Sequence, residues 1–497
     1  MLLLTLACHP DATKDPQSTE LRWEDAITLD ADFTVPPDTT LTISPGVVVT
    51  LAPDVALLVQ GTLIAQGTPE APVVFTGDAA APWRSLVFEE SAVDAQFEGV
   101  DIYTGASIVE NAVVEHAIRG MELAGSSPYL HAIRFSNNEY PSGVDTIGGA
   151  ALLIRDGASP RVRDCSFEGN IANLFAFGGA IYVDHADPIL QDNVFVENAA
   201  SYGGAISTNM MASPIVGSSF DGNDSLSEGG AISLVSTVSA VLANTVTNNH
   251  AKTDGAGIHV CVTCDPHAAP YLLDNIVTGN QSDNTDPDEG AAGVGAAYLG
   301  IMQSNEIHDN LRDGVPSDFG WFNPVSEGWP DWIAVPVLSD TWWGTTDLNE
   351  INSHIWDGSD SDSQSTVVVD PIRTTSLSGA LPRVVVASRR FQYQDAGDEV
   401  PVFLTLYNPG AAITATLSLS RDGLPFEGVL DYPGATQEGD GWTIDMPENS
   451  VWFATLDSST YDGTTVDDTL WEATLFENGS LVGVPSIARY LYTPVSQ

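Results

Sequence analysis

The chain has 497 residues and 43% of them are hydrophobic, which is enough apolar material for two or three domains and excludes a disordered protein. Its 67 acidic residues against 16 basic ones give a formal charge of −51. A surface of that sign repels polyanions, so we expect no nucleic-acid partner, whereas neutral glycans, divalent cations and cationic partners remain compatible. The acids are equally explained as a solvated surface that keeps a long β-structure from self-association.

The N-terminus consists of a short apolar segment, residues 1–8, followed by a polar tether, residues 9–24. The segment ends in Ala7-Cys8, and this arrangement resembles a lipoprotein signal whose cysteine becomes lipidated. It is shorter than usual, no basic residue precedes it, and Thr5 stands where an apolar residue is expected. We therefore expect export to the cell surface or the medium, with lipidation of Cys8 as the one route to a membrane and plain export as the alternative.

A four-residue pattern that ends in asparagine predicts a solenoid in the central half of the chain. The pattern opens with phenylalanine in its first four copies and with valine or isoleucine in the last three. It recurs every 25 to 32 residues, and its terminal asparagines are Asn138, Asn170, Asn198, Asn223, Asn249, Asn280 and Asn310. A period of this length is typical of stacked coils.

A second marker, a tetrapeptide similar to Gly-Gly-Ala-Ile, alternates with the first. Its first glycines are Gly148, Gly178, Gly203, Gly229, Gly255 and, in a weaker copy, Gly290. We expect three short parallel strands per coil over residues 25–315, with inward side chains stacked at about 4.8 Å. The asparagines should form hydrogen-bonded columns, and Cys165 should be a small buried residue in one of them.

These paired motifs resemble the repeats of the chlamydial polymorphic outer-membrane proteins and, more broadly, the pectate-lyase-like superfamily of right-handed parallel β-helices. The motifs cover residues 128–310, and the resemblance extends the helix back to the segments 42–46 and 61–64. It implies a right-handed parallel β-helix, display at a surface, and use as an adhesin or in carbohydrate recognition.

Residues 316–382 are interpreted as a tryptophan-rich cap and linker, because six of the eleven tryptophans lie between Trp321 and Trp356. A hydrophobic plug for the open end of the coils explains this cluster, and glycan stacking is the alternative. The short helix expected here has a capping box and one apolar face, formed by Asp347, Glu350, Leu348, Ile351 and Ile355. Residues 383–497 predict an antiparallel β-sandwich, because turn signals separate alternating apolar runs.

The outer face of the strands that follow the glycines is the candidate site. We expect the residues four and six after each first glycine to point outward, in columns from Leu152 to Val294 and from Ile154 to Ala296. A polar groove for a neutral glycan would be lined by Tyr182, Asp184, His185, Asn209 and His259. An ordinary wet face is the alternative, and Asp184 has no carboxylate partner of the kind that glycoside hydrolysis requires.

The remaining candidates are a disulfide and two acidic clusters. Cys261 and Cys264 lie in a turn insertion, where an exported protein favours a loop disulfide over a zinc site. The carboxylate oxygens of either cluster could bind calcium, although acidic residues in exposed loops need no metal to explain them. The two clusters are formed by Asp283, Asp286, Asp288 and Glu289, and by Asp357, Asp360 and Asp362.

The resulting hypothesis is an exported surface or secreted scaffold for adhesion, assembly or glycan binding, without catalysis. Its partner would be a neutral glycan or another surface protein, and calcium is the one cofactor that the sequence suggests. The alternative is a carbohydrate-active enzyme, a polysaccharide lyase or a glycoside hydrolase, that acts in a groove on the β-helix face.

Overall fold

The structure is a computed structural model. It describes residues 19–141, 147–173, 175–261, 270–285, 290–297, 299, 301–321, 338–357, 359, 366–388, 399–460 and 470–489. From residue 19 to residue 356, short strands of successive coils pair in parallel with their counterparts one coil away, so the predicted parallel β-helix is confirmed.

Sheet 1 of the β-helix contains the strands that follow the glycine markers. Its twelve strands are all parallel and run along the helix in chain order. They are Phe33–Val35, Ala56–Val59, Ser85–Phe88, Met121–Ala124, Leu152–Arg155, Ile181–Asp184, Ile206–Asn209, Ile232–Val235, Ile258–Val260, Val294–Ala296, Phe319–Trp321 and Ile355–Trp356.

Sheet 2 contains the other two strands predicted for each coil, which are separated by a sharp corner and join into one twenty-one-stranded parallel sheet. Its strands are Thr19–Trp23, Ile27–Leu29, Thr39–Ile43, Val48–Leu51, Thr62–Gln66, Val73–Thr76, Ile108–Glu115, Tyr129–Ser136, Arg161–Arg163, Ser166–Glu168, Ile189–Gln191, Val194–Val196, Ile215–Val216, Ser219–Asp221, Ala240–Leu242, Thr245–Thr247, Tyr271–Leu273, Ile276–Thr278, Met302–Gln303, Glu306–His308 and Leu338–Ser339.

Sheet 3 is an additional ladder that the motifs do not predict. Its first seven strands each follow a terminal asparagine of the repeat, and the eighth pairs antiparallel with the seventh. Its strands are Glu139–Tyr140, Ile171–Ala172, Ala199–Tyr202, Asp224–Glu228, His250–Ala251, Gln281–Ser282, Leu311–Arg312 and Val315–Pro316.

The interior of the coils contains the ladders that the repeat predicts. The rings of Phe135, Phe167, Phe195 and Phe220 stack nearly parallel at 4.8, 4.7 and 4.6 Å between successive centroids. Along the asparagine column, each side-chain amide donates to the side-chain oxygen one coil further, for example from Asn170 to Asn198 at 2.9 Å. Stacking therefore satisfies buried amides that a single coil would leave unpaired.

The second polar column lies two residues before the phenylalanines. Cys165 is buried there, and its backbone N–H donates to the side-chain oxygen of Asn193 at 3.0 Å. The thiol is free, and burial raises its pKa to about 12, so it is unreactive. Both column assignments are confirmed.

The C-terminal end of the coils is closed by buried aromatic and aliphatic side chains. Trp321, Trp343 and Ile351 are at most 2% exposed and belong to the same core as the phenylalanine ladder. The burial of these side chains supports the interpretation of the cluster as a hydrophobic plug. Trp329 and Trp332 of the predicted cluster lie outside the described residues.

The capping helix is shorter than predicted, Leu348–Ser353, and its buried face is narrower. Asp347 caps it by accepting from the backbone N–H of Asn349 at 2.9 Å. Ile351 is buried, but Leu348 is 51% exposed and Ile355 belongs to a strand of sheet 1, so two of the three predicted face residues were wrong. A six-residue helix makes fewer than two turns, which leaves room for one inward position only.

The first and last members of both predicted outward columns were also wrong. Leu152 and Ile154 point into the core, as do Val294 and Ala296, and all four are fully buried. Tyr182 pairs with Leu153 instead of Leu152, because the equivalent of Gly178 is Gly149 and not Gly148. A shift of one residue turns every side chain of a strand to the opposite face.

Residues 383–489 form two antiparallel sheets, as predicted for a β-sandwich. The first sheet contains Arg383–Ser388, Glu399–Asn408 and Ser450–Thr460. The second contains Ile413–Arg421, Leu424–Pro425, Thr436–Glu438, Gly441–Met446, Leu470–Glu477 and Ser480–Arg489. Alternate residues of the first sheet, such as Val384 and Val386, pack against the second sheet in a core of their own.

The other face of the three-stranded sheet packs on the outside of the β-helix. Val385 and Phe403 of the sandwich share a buried cluster with outward residues of sheet 2, including Val216 and Leu242. A hairpin, Gln96–Glu98 and Ile102–Gly105, extends from the β-helix, and Val100 at its tip joins the sandwich core. The sandwich is thus packed against the outside of the β-helix.

Candidate functional site

Four of the five predicted groove residues lie together on the outer face of sheet 1. Tyr182 and Asp184 are alternate residues of one strand, and Asn209 pairs with Asp184 one coil further. The Asn209 amide donates to the Asp184 carboxylate at 2.8 Å, and a ring nitrogen of His185 lies 2.8 Å from the same oxygen. This polar group is therefore held in place by its own hydrogen bonds.

A row of aromatic rings adjoins the polar group. Phe177 stacks on Tyr182 at 5.4 Å and on Tyr202 at 5.2 Å between ring centroids. Burial raises the pKa of Tyr182, so its hydroxyl stays protonated. Phe177 and Tyr202 occupy the position directly before the glycine marker, and that column went unused in the sequence reasoning although it is visible in the repeat.

A further aromatic residue, Phe175, lies two residues before Phe177 and is exposed to solvent. Its side chain is 69% exposed, its backbone φ is +70°, and its N–H donates to the Ser201 hydroxyl at 2.8 Å. A non-glycine residue in the left-handed region is uncommon, and this conformation is seldom adopted by a residue as bulky as phenylalanine. The hydrogen bond to Ser201 thus holds the backbone of an exposed aromatic residue two positions before Phe177.

His259, the fifth predicted groove residue, does not line an open surface. It lies in the Tyr182 column but is separated from it by Ser207 and Ser233, and it is only 1% exposed. Neither ring nitrogen has a hydrogen-bond partner within the described residues. The prediction of His259 as an exposed groove residue was therefore wrong, because neighbouring side chains cover a residue that the strand directs outward.

Two carboxylates flank the His259 ring, and the sequence reasoning missed both. The Nδ1 atom lies 3.5 Å from a carboxylate oxygen of Glu228, and the Nε2 atom lies 3.9 Å from one of Asp254. Glu228 and Asp254 are paired on successive coils, in the same column as Phe177 and Tyr202. Each directly precedes a glycine marker, which is the signal that could have identified them.

Asp254 is held in a fixed orientation. One of its oxygens accepts from the backbone N–H groups of Gly255 and Ala291, both at 2.7 Å. Burial raises the pKa of its carboxyl group. The carboxylate lies over Gly295, where a Cβ atom would come within 2.4 Å of it, so a larger residue there would displace the Asp254 side chain.

The predicted calcium clusters contain few described residues. Asp283 is exposed and lies 3.2 Å from a ring nitrogen of His250, whereas Asp286, Asp288 and Glu289 lie outside the described residues. Within the described part of the chain, no three or more His, Cys, Asp and Glu side chains are grouped in a way that could hold a metal ion.

Asp357 is the described member of the other cluster, and its carboxylate is used in a local turn. It is buried, and its two oxygens accept from the backbone N–H groups of Ser359 at 2.8 Å and Val367 at 2.6 Å. Asp360 and Asp362 lie outside the described residues. Calcium binding by this cluster therefore stays a prediction.

The cysteine predictions are tested in part. Cys261 is disulfide-bonded, while Cys264 and Cys8 both lie outside the described residues. The pairing of Cys261 with Cys264 and the lipidation of Cys8 therefore stay predictions. The described part of the chain contains no helix with the length and hydropathy of a membrane span.

Comparison with known proteins supports the fold. No curated protein matches the sequence. Among solved structures, a tailspike protein mutant of E. coli bacteriophage HK620 is 11% identical, with coverage of 90% of this chain and 87% of that one, but a TM-score of 0.18 supports no inference. Residues 84–251 match the family described as right handed beta helix region. With the parallel register of its coils, this match identifies the protein as one built on a right-handed parallel β-helix.

Proposed function

We propose that the protein is an exported β-helix scaffold that binds a neutral glycan at the outer corner of sheet 1. This corner is the surface that carries Phe175, Phe177, Tyr182, Tyr202, Asp184 and Asn209. The observation that carries this proposal is the stacked row of Phe177, Tyr182 and Tyr202 together with the hydrogen-bonded pair of Asp184 and Asn209. The exposed Phe175 is tied to the same region by its backbone hydrogen bond to Ser201, the residue before Tyr202. Sugar rings present apolar C–H faces and polar hydroxyl edges, so a binding surface needs rings and hydrogen-bonding groups side by side.

The charge of the protein supports a neutral ligand. With a formal charge of −51, the protein repels polyanionic polysaccharides at long range. The strands of sheet 1 are paired with the strands of the coils on both sides, so the surface should need little ordering when a glycan binds. Export rests on the apolar N-terminal segment before Cys8, and a surface or secreted location follows from it.

The test is binding of the full-length protein to immobilised neutral and anionic polysaccharides, with and without a calcium chelator. We expect retention on at least one neutral polysaccharide, unchanged by the chelator. Phe175→Ala should weaken binding at least about tenfold, as is typical for an aromatic contact residue. Val429→Ala is the matched control, since Val429 is an 86% exposed apolar residue of the sandwich.

Two results would refute the proposal. One is no retention on any neutral polysaccharide. The other is equal binding by the wild-type protein and the Phe175→Ala variant, which would indicate that the corner of sheet 1 is not the contact surface.

A further inference from the structure

The hairpin formed by Gln96–Glu98 and Ile102–Gly105 bridges the β-helix and the sandwich. Val100 at its tip is 6% exposed and lies in the same buried cluster as Leu430 and Tyr432 of the sandwich. The two strands pair with each other and with no other strand in the described part of the chain. Because an isolated two-stranded hairpin is marginally stable in water, its position depends on the side chains that it contacts.

Aromatic rings attach the base of the hairpin to the coils. The rings of Phe97 and Tyr103 both contact Tyr129 of sheet 2, at 5.3 and 5.8 Å between centroids. Tyr129 stacks in turn on His131, two residues further along the same strand, at 5.4 Å with the ring planes 9° apart. A change in the charge of His131 is therefore felt one ring away from the hairpin, since a cation is attracted to an aromatic face.

His131 bridges two carboxylates of neighbouring coils. Its Nδ1 atom lies 2.8 Å from an oxygen of Glu110 in the preceding coil, and its Nε2 atom lies 3.3 Å from an oxygen of Asp164 in the following coil. The hydrogen bond with Asp164 raises the pKa of His131, and the one with Glu110 acts in the same direction. A neutral imidazole has one N–H group, so only the protonated ring can donate to both acids.

Two arginines connect this bridge to the hairpin and to the sandwich. The Arg163 guanidinium lies 3.2 Å from Asp164 and 3.8 Å from Asp101 in the hairpin turn, and Arg161 also forms an ion pair with Asp101. Arg163 donates to the backbone carbonyl of Asn449 in the sandwich at 3.4 Å. The guanidinium of Arg163 is thus shared between two carboxylates, and the imidazolium takes up part of that negative charge.

The other titratable groups nearby do not lose protons together with the imidazole. Burial raises the pKa values of Tyr103 and Tyr129, so both hydroxyls stay protonated at neutral pH. Burial also raises the pKa values of Asp101 and Asp192, which extends carboxyl titration upward from its usual range. A variant of His131 compared with wild type at one pH therefore isolates the histidine better than a change of pH alone.

We propose that His131 and the hairpin form a pH-sensitive strap that holds the N-terminal end of the interface between the β-helix and the sandwich. Below about pH 6.5 the Glu110–His131–Asp164 bridge is complete and the hairpin is held on the coils. Because the folded-state pKa of His131 is raised, this stabilisation is lost as the pH rises through that value, and the hairpin then opens more often. The buried pair of Arg383 and Asp274 keeps the rest of the interface closed.

Hydrogen–deuterium exchange of the full-length protein at pH 6 and pH 9 tests the strap. At pH 6, residues 96–105 should be protected at least about tenfold more in wild type than in His131→Gln, because a charged hydrogen bond is lost. At pH 9 the two proteins should exchange at nearly the same rate in this segment. Protection of Arg383–Ser388 should be the same in both proteins at both pH values, since the opening is local.

Two further variants complete the test. His185→Gln is the matched control, because it removes another histidine that lies 2.8 Å from a carboxylate, that of Asp184, and it should leave the hairpin as in wild type. Glu110→Gln should move the loss of hairpin protection to lower pH, since His131 then faces one acid fewer. This variant also keeps the test valid if His131→Gln fails to fold.

Three results would overturn the proposal. The first is a ratio of protection between wild type and His131→Gln that is the same at pH 6 and pH 9. The second is an unchanged pH dependence in Glu110→Gln. The third is an equal loss of protection in residues 96–105 and 383–388, which would indicate unfolding of the whole protein instead of opening of the hairpin.

Discussion

At the residue scale, left-handed backbone at the coil corners decides which side chains those corners carry. Asp164, Asp192 and Asp274 occupy equivalent corners of sheet 2 with φ near +55°. Aspartate and asparagine tolerate this region better than other non-glycine residues. Two of these carboxylates are then used in contacts with the sandwich, Asp192 with Asn449 and Asp274 with Arg383. A backbone requirement thus also places polar contacts.

The end of the asparagine ladder provides a pH-dependent contact. The amide of Asn310 donates to Asp318 at 2.9 Å, and the other Asp318 oxygen lies 3.0 Å from Nδ1 of His354. The Asp318 hydrogen bond raises the pKa of His354. A histidine with a raised folded-state pKa stabilises the fold fully below its unfolded value of about 6.5, and this contribution is lost as the pH rises through the folded value.

We expect His354→Gln to lower the free energy of unfolding by about 1.5–3 kcal/mol at pH 5–6, because a charged hydrogen bond to a buried carboxylate is lost. The difference from wild type should shrink as the pH rises to about 9. Denaturant titrations at several pH values measure it. His185→Gln, at an exposed position, is the control, and a difference that does not change with pH would contradict the argument.

Single-residue register is also where sequence reasoning was weakest. The glycine markers at Gly148 and Gly290 are one residue out of step with the strands they precede, so the outward columns there were assigned to buried residues. The adjacent Gly148 and Gly149, and the degenerate Gly290-Ala-Ala-Gly293 copy, make the alignment ambiguous by one position, and a strand has a period of two. Glu228 and Asp254 were missed for a related reason, because the sequence reasoning did not consider the column directly before the glycine markers.

At the element scale, the coil was predictable because every level of the sequence repeats. The phenylalanine and asparagine columns, with the paired glycines, fix strand identity, inward face and stacking partner together. Sheet 3 was missed because its strands have as few as two residues and carry no apolar alternation of their own. Neighbouring coils create that ladder by bringing short segments into register.

The asparagine ladder should be essential to the stability of the coils. Asn198 accepts from the N–H and the amide of Asn170, and its own amide donates to Phe167 and Asn223 at 2.9 and 3.0 Å. Asn198→Ala leaves several buried groups unpaired, each costing about 1–3 kcal/mol. We expect a loss of at least about 3 kcal/mol in the free energy of unfolding.

Chemical denaturation of the full-length protein measures this loss. Thr247→Ala is the control, because it removes an exposed hydrogen bond to Asp221 and should change stability by less than about 1 kcal/mol. Equal losses for Asn198→Ala and Thr247→Ala would show that the ladder is not a principal stabilising feature.

At the scale of the whole molecule, the surface of the β-helix on which the sandwich packs could not be predicted. Ile189 and Leu190 are consecutive apolar residues, of which Leu190 faces the coil interior and Ile189 faces the sandwich. Composition alone does not separate an inward residue from an outward one that another domain buries. The sandwich itself was predictable from its turns and alternation, but its partner surface was not.

The buried ion pair between the sandwich and the β-helix should stabilise the packing of the two domains. Both nitrogens that Arg383 directs to Asp274 are 2.7 Å from its oxygens, and the two side chains are at most 3% exposed. Arg383→Leu leaves a buried carboxylate without its partner, and we expect a loss of about 3–5 kcal/mol in the free energy of unfolding. The double variant Arg383→Leu with Asp274→Asn should recover part of that loss, and additive losses would contradict a buried pair.

The account depends most on the coils being stacked in register, and spin-label distances test this directly. Arg134 and Thr245 lie in one column separated by four coil steps, and Ile276 is one step further. Labels on Arg134→Cys with Thr245→Cys, and on Arg134→Cys with Ile276→Cys, should give distances of about 19 and 24 Å. The predicted result is two narrow distance distributions whose centres differ by about one strand spacing. Thr245 and Ile276 are nevertheless 31 residues apart in the sequence. Broad distributions, or a second distance no longer than the first, would contradict the stacked β-helix.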